Sequence, residues 1–225
     1  RVQQRTLPDT RVPCSAALPD SDVMRGGQGS AILARFLSGA PRMAYAATPF
    51  RAPPAMSLQI RRATPADAQA VSAIAIATYT ETFGDSYPPQ DLHAFLEEHY
   101  SPAPQRRELE DPRSAVWLLE EDGRAVGYLA AGANTLAHAE AVDGDVELKR
   151  LYVLASHQSG GHGARLMEAF LQWLDHPARR TLWVGVWSEN LGAQRFYARY
   201  GCVQVGTYYF VVGDSRDLEF ILRRP

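Results

Sequence analysis

Leu151–Trp173 reads LYVLASHQSGGHGARLMEAFLQW, a hydrophobic strand that passes through a glycine-rich loop into an amphipathic helix. Gln158, Gly161 and Gly163 form a Q-x-x-G-x-G pattern, with Ser159, Gly160, His162 and Ala164 completing the loop. Glycine at such points tolerates positive φ and lacks the Cβ that would hold a ligand away from the backbone. The loop opens a helix, and the unpaired N–H groups and dipole of a helix N-terminus favour an anion such as pyrophosphate. Met167, Phe170, Leu171 and Leu174 recur at i, i+3, i+4 and i+7, which is a helical stripe. Glycine pairs also mark plain tight turns, so the loop alone leaves both readings open. A dinucleotide fold would want a third glycine where Leu166 stands, and would carry the motif early in its domain. A Walker loop is excluded, because no Lys-Ser/Thr pair follows the glycines.

The next unit, TLWVGVWSENLGAQRFYARYGC at 181–202, repeats the strand-to-helix passage. Thr181 to Trp187 is rich in β-branched and aromatic residues and predicts a strand. Ser188 or Asn190 suits a helix N-cap, and Gly201 suits the C′ position at the other end. Ala193, Phe196, Tyr197 and Tyr200 share one helical face.

Together the two units resemble the GCN5-related N-acetyltransferases, a family with Q/R-x-x-G-x-G/A after its fourth strand and N-x-x-A-x-x-x-Y on a later helix. Here the second pattern is Asn190, Ala193 and Tyr197. The resemblance runs from Leu58 to about Arg224. It is closer to the PaiA-type spermidine/spermine and amine acetyltransferases, through Glu81-Thr82-Phe83, the LWVGVWSEN strand end and a late aromatic strand before Gly213-Asp214. The chain departs from the pattern at Gln158, where Arg is commoner, at Gly160, and at Cys202, where an aromatic usually stands.

The resemblance implies an α+β fold: a mixed, mostly antiparallel twisted sheet with helices on both faces and splayed fourth and fifth strands. It implies acetyl-CoA as co-substrate, its pyrophosphate at 158–164, its pantetheine along Leu151, Tyr152 and Val153, and Asn190 and Ala193 beside it. It also implies direct transfer to a primary amine, with Glu147 as base and Tyr197 as acid. A base helps because an amine with pKa near ~10 is cationic at neutral pH, and a phenol of similar pKa is a workable donor to the leaving thiolate. A strand N–H between Leu151 and Val153 would meet the oxyanion. Each role has a plain structural competitor. Glu147 could be a solvated strand residue and Tyr197 a core aromatic, with Tyr152 and Tyr200 in reserve as acids. Tyr79, Glu81, Phe83 and Asp85, at the end of the first helix, border the acceptor site in this family. Aromatic and acidic groups together suit an alkylammonium, although helix packing and surface charge account for them equally. Tyr208 and Tyr209 could reach the same opening. The acceptor stays open among polyamine, aminoglycoside, small amine and protein N-terminus. A non-catalytic acyl-CoA-binding regulatory module is the alternative; it would need neither Glu147 nor Tyr197.

The 225-residue composition, 46% hydrophobic and 21% charged, is that of an ordinary globular protein. No apolar run approaches the ~20 residues of a membrane span. Two cysteines, Cys14 and Cys202, form no disulfide framework and fit a reducing cytoplasm. The six histidines are scattered, without metal-ligand spacing. Residues 1–55 carry seven Arg against three Asp and seven of the 15 prolines, while residues 56–225 carry 16 basic against 22 acidic residues. An acidic domain does not read as a nucleic-acid binder and attracts polycationic substrates. Self-association as a homodimer is left open. Residues 1–55 lack a core-forming pattern and read as an upstream extension, with Met56 as the expected start of the domain at 56–225; an Arg-rich transit peptide is the runner-up.

Within the domain the spacing predicts a strand at 58–62, then a helix from Thr64-Pro65 to about Thr82 with a Val71, Ile74, Ala75, Thr78 stripe. A second helix at 90–99, a short helical piece at 106–109, and a hairpin turning at Glu121-Asp122-Gly123 follow. In the strand at 146–153 the apolar positions switch parity, from Val146 and Leu148 to Leu151 and Val153. One extra residue near Lys149-Arg150, a β-bulge, restores a single buried face; burial of both faces is the alternative. Strands at 203–212 and 217–222 close the chain.

Overall fold

The computed structural model of the chain describes residues 58–225. The expected extension and Met56 lie outside the described residues. β1 (Leu58–Arg62) leads through a 3₁₀ turn, Pro65–Asp67, into α1 (Ala68–Phe83). The turn is held reciprocally: Thr64 N donates to Asp67 Oδ2 at 2.7 Å and Asp67 N to the Thr64 carbonyl at 2.8 Å. α2 (Pro89–Tyr100) and α3 (Pro102–Glu110) each open on a proline, where the missing N–H is no loss. β2 (Ala115–Glu121) and β3 (Arg124–Ala133) turn through Asp122 and Gly123, both at positive φ (49° and 79°). β4 (Val146–Val153), α4 (His162–Leu174), β5 (Leu182–Trp187), α5 (Leu191–Arg199), β6 (Val203–Val212) and β7 (Ser215–Arg224) complete the chain.

The seven strands form one sheet in the order β1-β2-β3-β4-β5-β7-β6. Every pairing is antiparallel except β4 with β5. One face carries α4 and α5: Leu166, Met167, Phe170 and Leu174 pack with Ala193, Phe196 and Tyr197 against Leu148, Leu151 and Val184. Full burial of such side chains is worth about 1.5–3 kcal/mol each. The other face carries α1 and α2, where Val71, Ile74, Tyr79, Phe83 and Phe95 meet Leu118, Tyr128, Tyr152 and Phe210. No helix among the described residues is long and apolar enough to cross a membrane.

Two features of β4 position the site. In the β3–β4 ladder Ala130 lies opposite Arg150 and Ala131 opposite Leu148, so Lys149 is the extra residue of a bulge. The bulge turns Leu148 and Leu151 to the same core, as the parity switch predicts, and both faces of the strand are nonetheless buried apart from Lys149. Beside it, β4 pairs with β5 only from Val146 to Leu148, opposite Leu182 to Val184. Past Leu148 the two strands part, which is the splay the family resemblance implies. α3 is longer than the short piece predicted at 106–109. Its polar sequence lacks an apolar stripe, and its inner contacts are polar: buried Gln105 donates to the His99 carbonyl at 2.7 Å, and Glu108 pairs with Arg150.

Candidate active site

The loop after β4 exposes backbone at the entrance of α4. Ser159 and Gly161 have positive φ (66° and 73°), and Gly161 is the N-cap of α4. No side chain caps that helix, so its first N–H groups stay available to a ligand. A Cβ on Gly160 would lie 2.5 Å from His162 Nε2, so glycine there makes room for the imidazole. His162 Nδ1 is buried without a partner, and burial, with Arg165 and His157 nearby, lowers its pKa. Gln158 Nε2 donates to the Val153 carbonyl at 3.0 Å, tying the loop to the end of β4. Asn190 is the N-cap of α5, with Oδ1 accepting from Ala193 N at 2.9 Å.

Glu147 and Tyr197 lie on opposite sides of the sheet. Tyr197 is fully buried in the α4/α5 cluster with Leu148 and Leu151, its ring edge-on to Phe196. Glu147 projects to the other side, 5% exposed, where Oε2 accepts from Thr135 N and Oγ1 at 2.8 and 2.6 Å. A cavity of about 370 Å³ opens there, lined by Glu147, Lys149, Arg150, Glu108, Glu98 and His99 among others. The parting of β4 from β5 begins after Leu148, the residue next to Glu147.

The four residues assigned to the acceptor border have separate settings. Tyr79 and Phe83 lie in the α1/α2 core, with ring centroids 4.8 Å apart, and Phe83 meets Trp187 edge-on at 6.2 Å. Glu81 accepts from Ala155 N at 2.9 Å and so braces the segment after β4. Asp85 is exposed. Tyr209 is 60% exposed, whereas Tyr208 turns inward and donates from its hydroxyl to Glu219.

Sequence reasoning missed Glu219, and with it the Tyr87–Asp217 hydrogen bond and the Arg150–Glu108 ion pair. A signal for the first was present. Counting outward from the two-residue turn Gly213-Asp214, the hairpin register sets Tyr208 opposite Glu219.

Comparison with known proteins places the fold. The model of the acetyltransferase (GNAT) family matches residues 74–202. The chain is 32% identical over 152 residues to an uncharacterized N-acetyltransferase in the pepI 3′ region of Lactobacillus delbrueckii subsp. lactis, covering 68% of this chain and 88% of the relative. It is also 32% identical over 158 residues to an uncharacterized N-acetyltransferase of Mycobacterium tuberculosis, covering 70% and 97%. Among solved structures it superposes on a PaiA N-acetyltransferase from Thermoplasma acidophilum in complex with coenzyme A. The TM-score is 0.58 at 17% identity, over 75% of this chain and 99% of the other. An NAA60 from Arabidopsis thaliana with a bisubstrate analogue gives a TM-score of 0.52 at 16% identity, over 75% and 97%. At those identities the structures speak for the fold alone. The chain belongs to the acetyltransferase (GNAT) family. It is an acetyl-CoA-dependent N-acetyltransferase.

The loop's role can be tested directly. Gly161→Asp forces a side chain into the left-handed region and sets a negative charge at the mouth of α4. Acetyl-CoA affinity measured by calorimetry should fall at least about tenfold, a change of ~1.4 kcal/mol. Unchanged affinity would remove the loop from the binding site.

Proposed function

We propose that the enzyme moves the acetyl group of acetyl-CoA directly to a primary amine, with Glu147 taking the proton from the acceptor and Tyr197 giving one to the departing thiolate. The observation that carries this reading is the parting of β4 and β5 immediately after Leu148, with Glu147 on one side of the sheet and Tyr197 on the other. Polyamines are the preferred acceptor class, ahead of aminoglycosides, small amines and protein N-termini. The acidic balance of residues 56–225 favours cations.

Bound acetyl-CoA supplies the activated acyl group; positioning and proton handling fall to the chain. The uncapped N–H groups at 162–164 and the positive-φ residues Ser159 and Gly161 suit the pyrophosphate. The edge of β4 beyond Leu148 is free of β5 and suits the amide-bearing arm, as an added strand would pair. An N–H between Leu151 and Val153 would stabilise negative charge on the reacting carbonyl oxygen. Thr135 fixes Glu147 through two hydrogen bonds, which suits a base whose geometry is set before the acceptor arrives.

A screen of amines with acetyl-CoA, reading release of free thiol, tests the activity and ranks acceptors. With an acceptor in hand, Glu147→Gln should lower the rate most at low pH, where the amine is fully protonated. Raising the pH should restore part of the loss by supplying free amine. A uniform loss at every pH would show that Glu147 shapes the pocket without taking the proton.

A further inference from the structure

Among the described residues the buried acids differ in how fully they are satisfied. Glu120 faces Arg61 at 2.7 Å, Asp145 accepts from Trp183 Nε1 at 2.7 Å, and Glu147 accepts twice from Thr135. Glu219, 1% exposed on β7, has the neutral hydroxyl of Tyr208. The groups that face it from the neighbouring elements are Tyr208 of β6, Asp217 of its own strand, Glu147 of β4, Tyr79 of α1 and Tyr87 after α1. None of them is a cation. Taking a carboxylate out of water without a counter-charge costs several kcal/mol, and Glu219 offsets that with one hydrogen bond where Glu147 has two.

Two further observations mark this place as a ligand site. Gly185 of β5 carries no side chain over the carboxylate: a Cβ there would stand 2.9 Å from Glu219 Oε2 and closer still to the Tyr208 hydroxyl. The glycine therefore keeps open the space that the pair occupies, on the strand that borders the splay. Beside it the Tyr79 hydroxyl, on a fully buried ring, adjoins Tyr87 and feels the charges of Asp217 and Glu219. A cationic N–H donor entering from the splay would supply the missing charge to Glu219.

We propose that Glu219, seated beneath Gly185 with Tyr208, is a second carboxylate of the acceptor pocket, which grips the acceptor as an ammonium ion and selects it over neutral molecules of the same shape. This deepens the amine-acetylation reading and rests on it for its place in the reaction; the binding itself is separately measurable. Burial, reinforced by the like charges of Asp217 and Glu147 and opposed by the Tyr208 hydrogen bond, pushes the Glu219 carboxyl up to about 7. The sign follows. Above that pH the ionised carboxylate attracts an ammonium ion; below it the proton replaces the ligand and affinity falls.

The probe is n-butylammonium, cationic at both pH 6 and pH 8 because alkylamines titrate near ~10, with n-butanol as its neutral match. NMR titration of the full chain should show n-butylammonium binding about tenfold more tightly at pH 8 than at pH 6, as expected for one group titrating near 7. Glu219→Gln should weaken binding at pH 8 about tenfold and flatten the pH dependence, with n-butanol unaffected. Equal affinity of wild type and Glu219→Gln for n-butylammonium overturns the proposal. Should Glu219→Gln lose its fold, Gly185→Ala displaces the carboxylate by contact; a folded Gly185→Ala that binds at wild-type strength overturns it equally. If n-butylammonium binds as proposed but no amine is acetylated, the fault lies with the acetyl-transfer reading and not with Glu219. In an active enzyme the loss in Glu219→Gln should appear in KM for the amine and leave kcat near the wild-type value.

Discussion

Tyr197→Phe should lower kcat by roughly 10² to 10⁴, the range that general acid catalysis typically contributes, while acetyl-CoA affinity stays at the wild-type level. The substitution keeps the ring that packs edge-on to Phe196 in the α4/α5 core and deletes only the hydroxyl. Packing is therefore preserved, and the melting temperature is a control for it. The loss should show mainly in kcat, as expected for a group that acts on the leaving thiolate in the transition state. A Tyr197→Phe enzyme that acetylates a good acceptor at the wild-type rate would hand the proton to solvent or to Tyr152. Tyr152 is itself buried at the bulged strand, its ring stacked on that of Tyr128 with centroids 6.1 Å apart.

The second large effect is on stability. Arg150, 4% exposed, reaches from the bulge of β4 to Glu108 of α3, and its guanidinium lies 5.7 Å from the centre of the Tyr100 ring. Arg150→Ala leaves Glu108 without its cation and should cost about 3–5 kcal/mol, the usual result of removing one member of a buried pair. That is a large share of a typical total of ~5–15 kcal/mol. Replacing both members together, Arg150→Met with Glu108→Leu, should cost far less, since no charge is stranded. Urea unfolding of the single and double variants measures both. If Arg150→Ala unfolds at the wild-type urea concentration, the pair does not hold α3 to the sheet.

How much of this was legible in the sequence follows from where each signal resides. The loop and α4 were readable because Gly161 and the 166–174 stripe are local. The bulge was readable because a parity switch between Leu148 and Leu151 has few solutions in a strand with a buried face. α3 was underread because it is held by Gln105 and by the Glu108–Arg150 pair, across 42 positions, and not by an apolar stripe. Tyr79 and Phe83 sit on the same helical stripe that forms the core, so periodicity alone could not separate packing from acceptor contact. Glu219 was hidden by alternation: an acid between Leu218 and Phe220 looks like a solvent-facing strand residue. Its burial follows from the pairing of β7 with β5, opposite Trp187 and under Gly185, a contact that spans more than thirty positions.

The three-residue parallel pairing of β4 with β5 has a mechanical meaning as well. The sheet amounts to two plates, β1 to β4 and β5 to β7, whose ladders meet along one short seam from Val146 to Leu148. Backbone hydrogen bonds resist shear when many share the load, and here few do. Each plate keeps its own ladder intact up to the gap, so a cargo wedged there would brace the molecule along its weakest line.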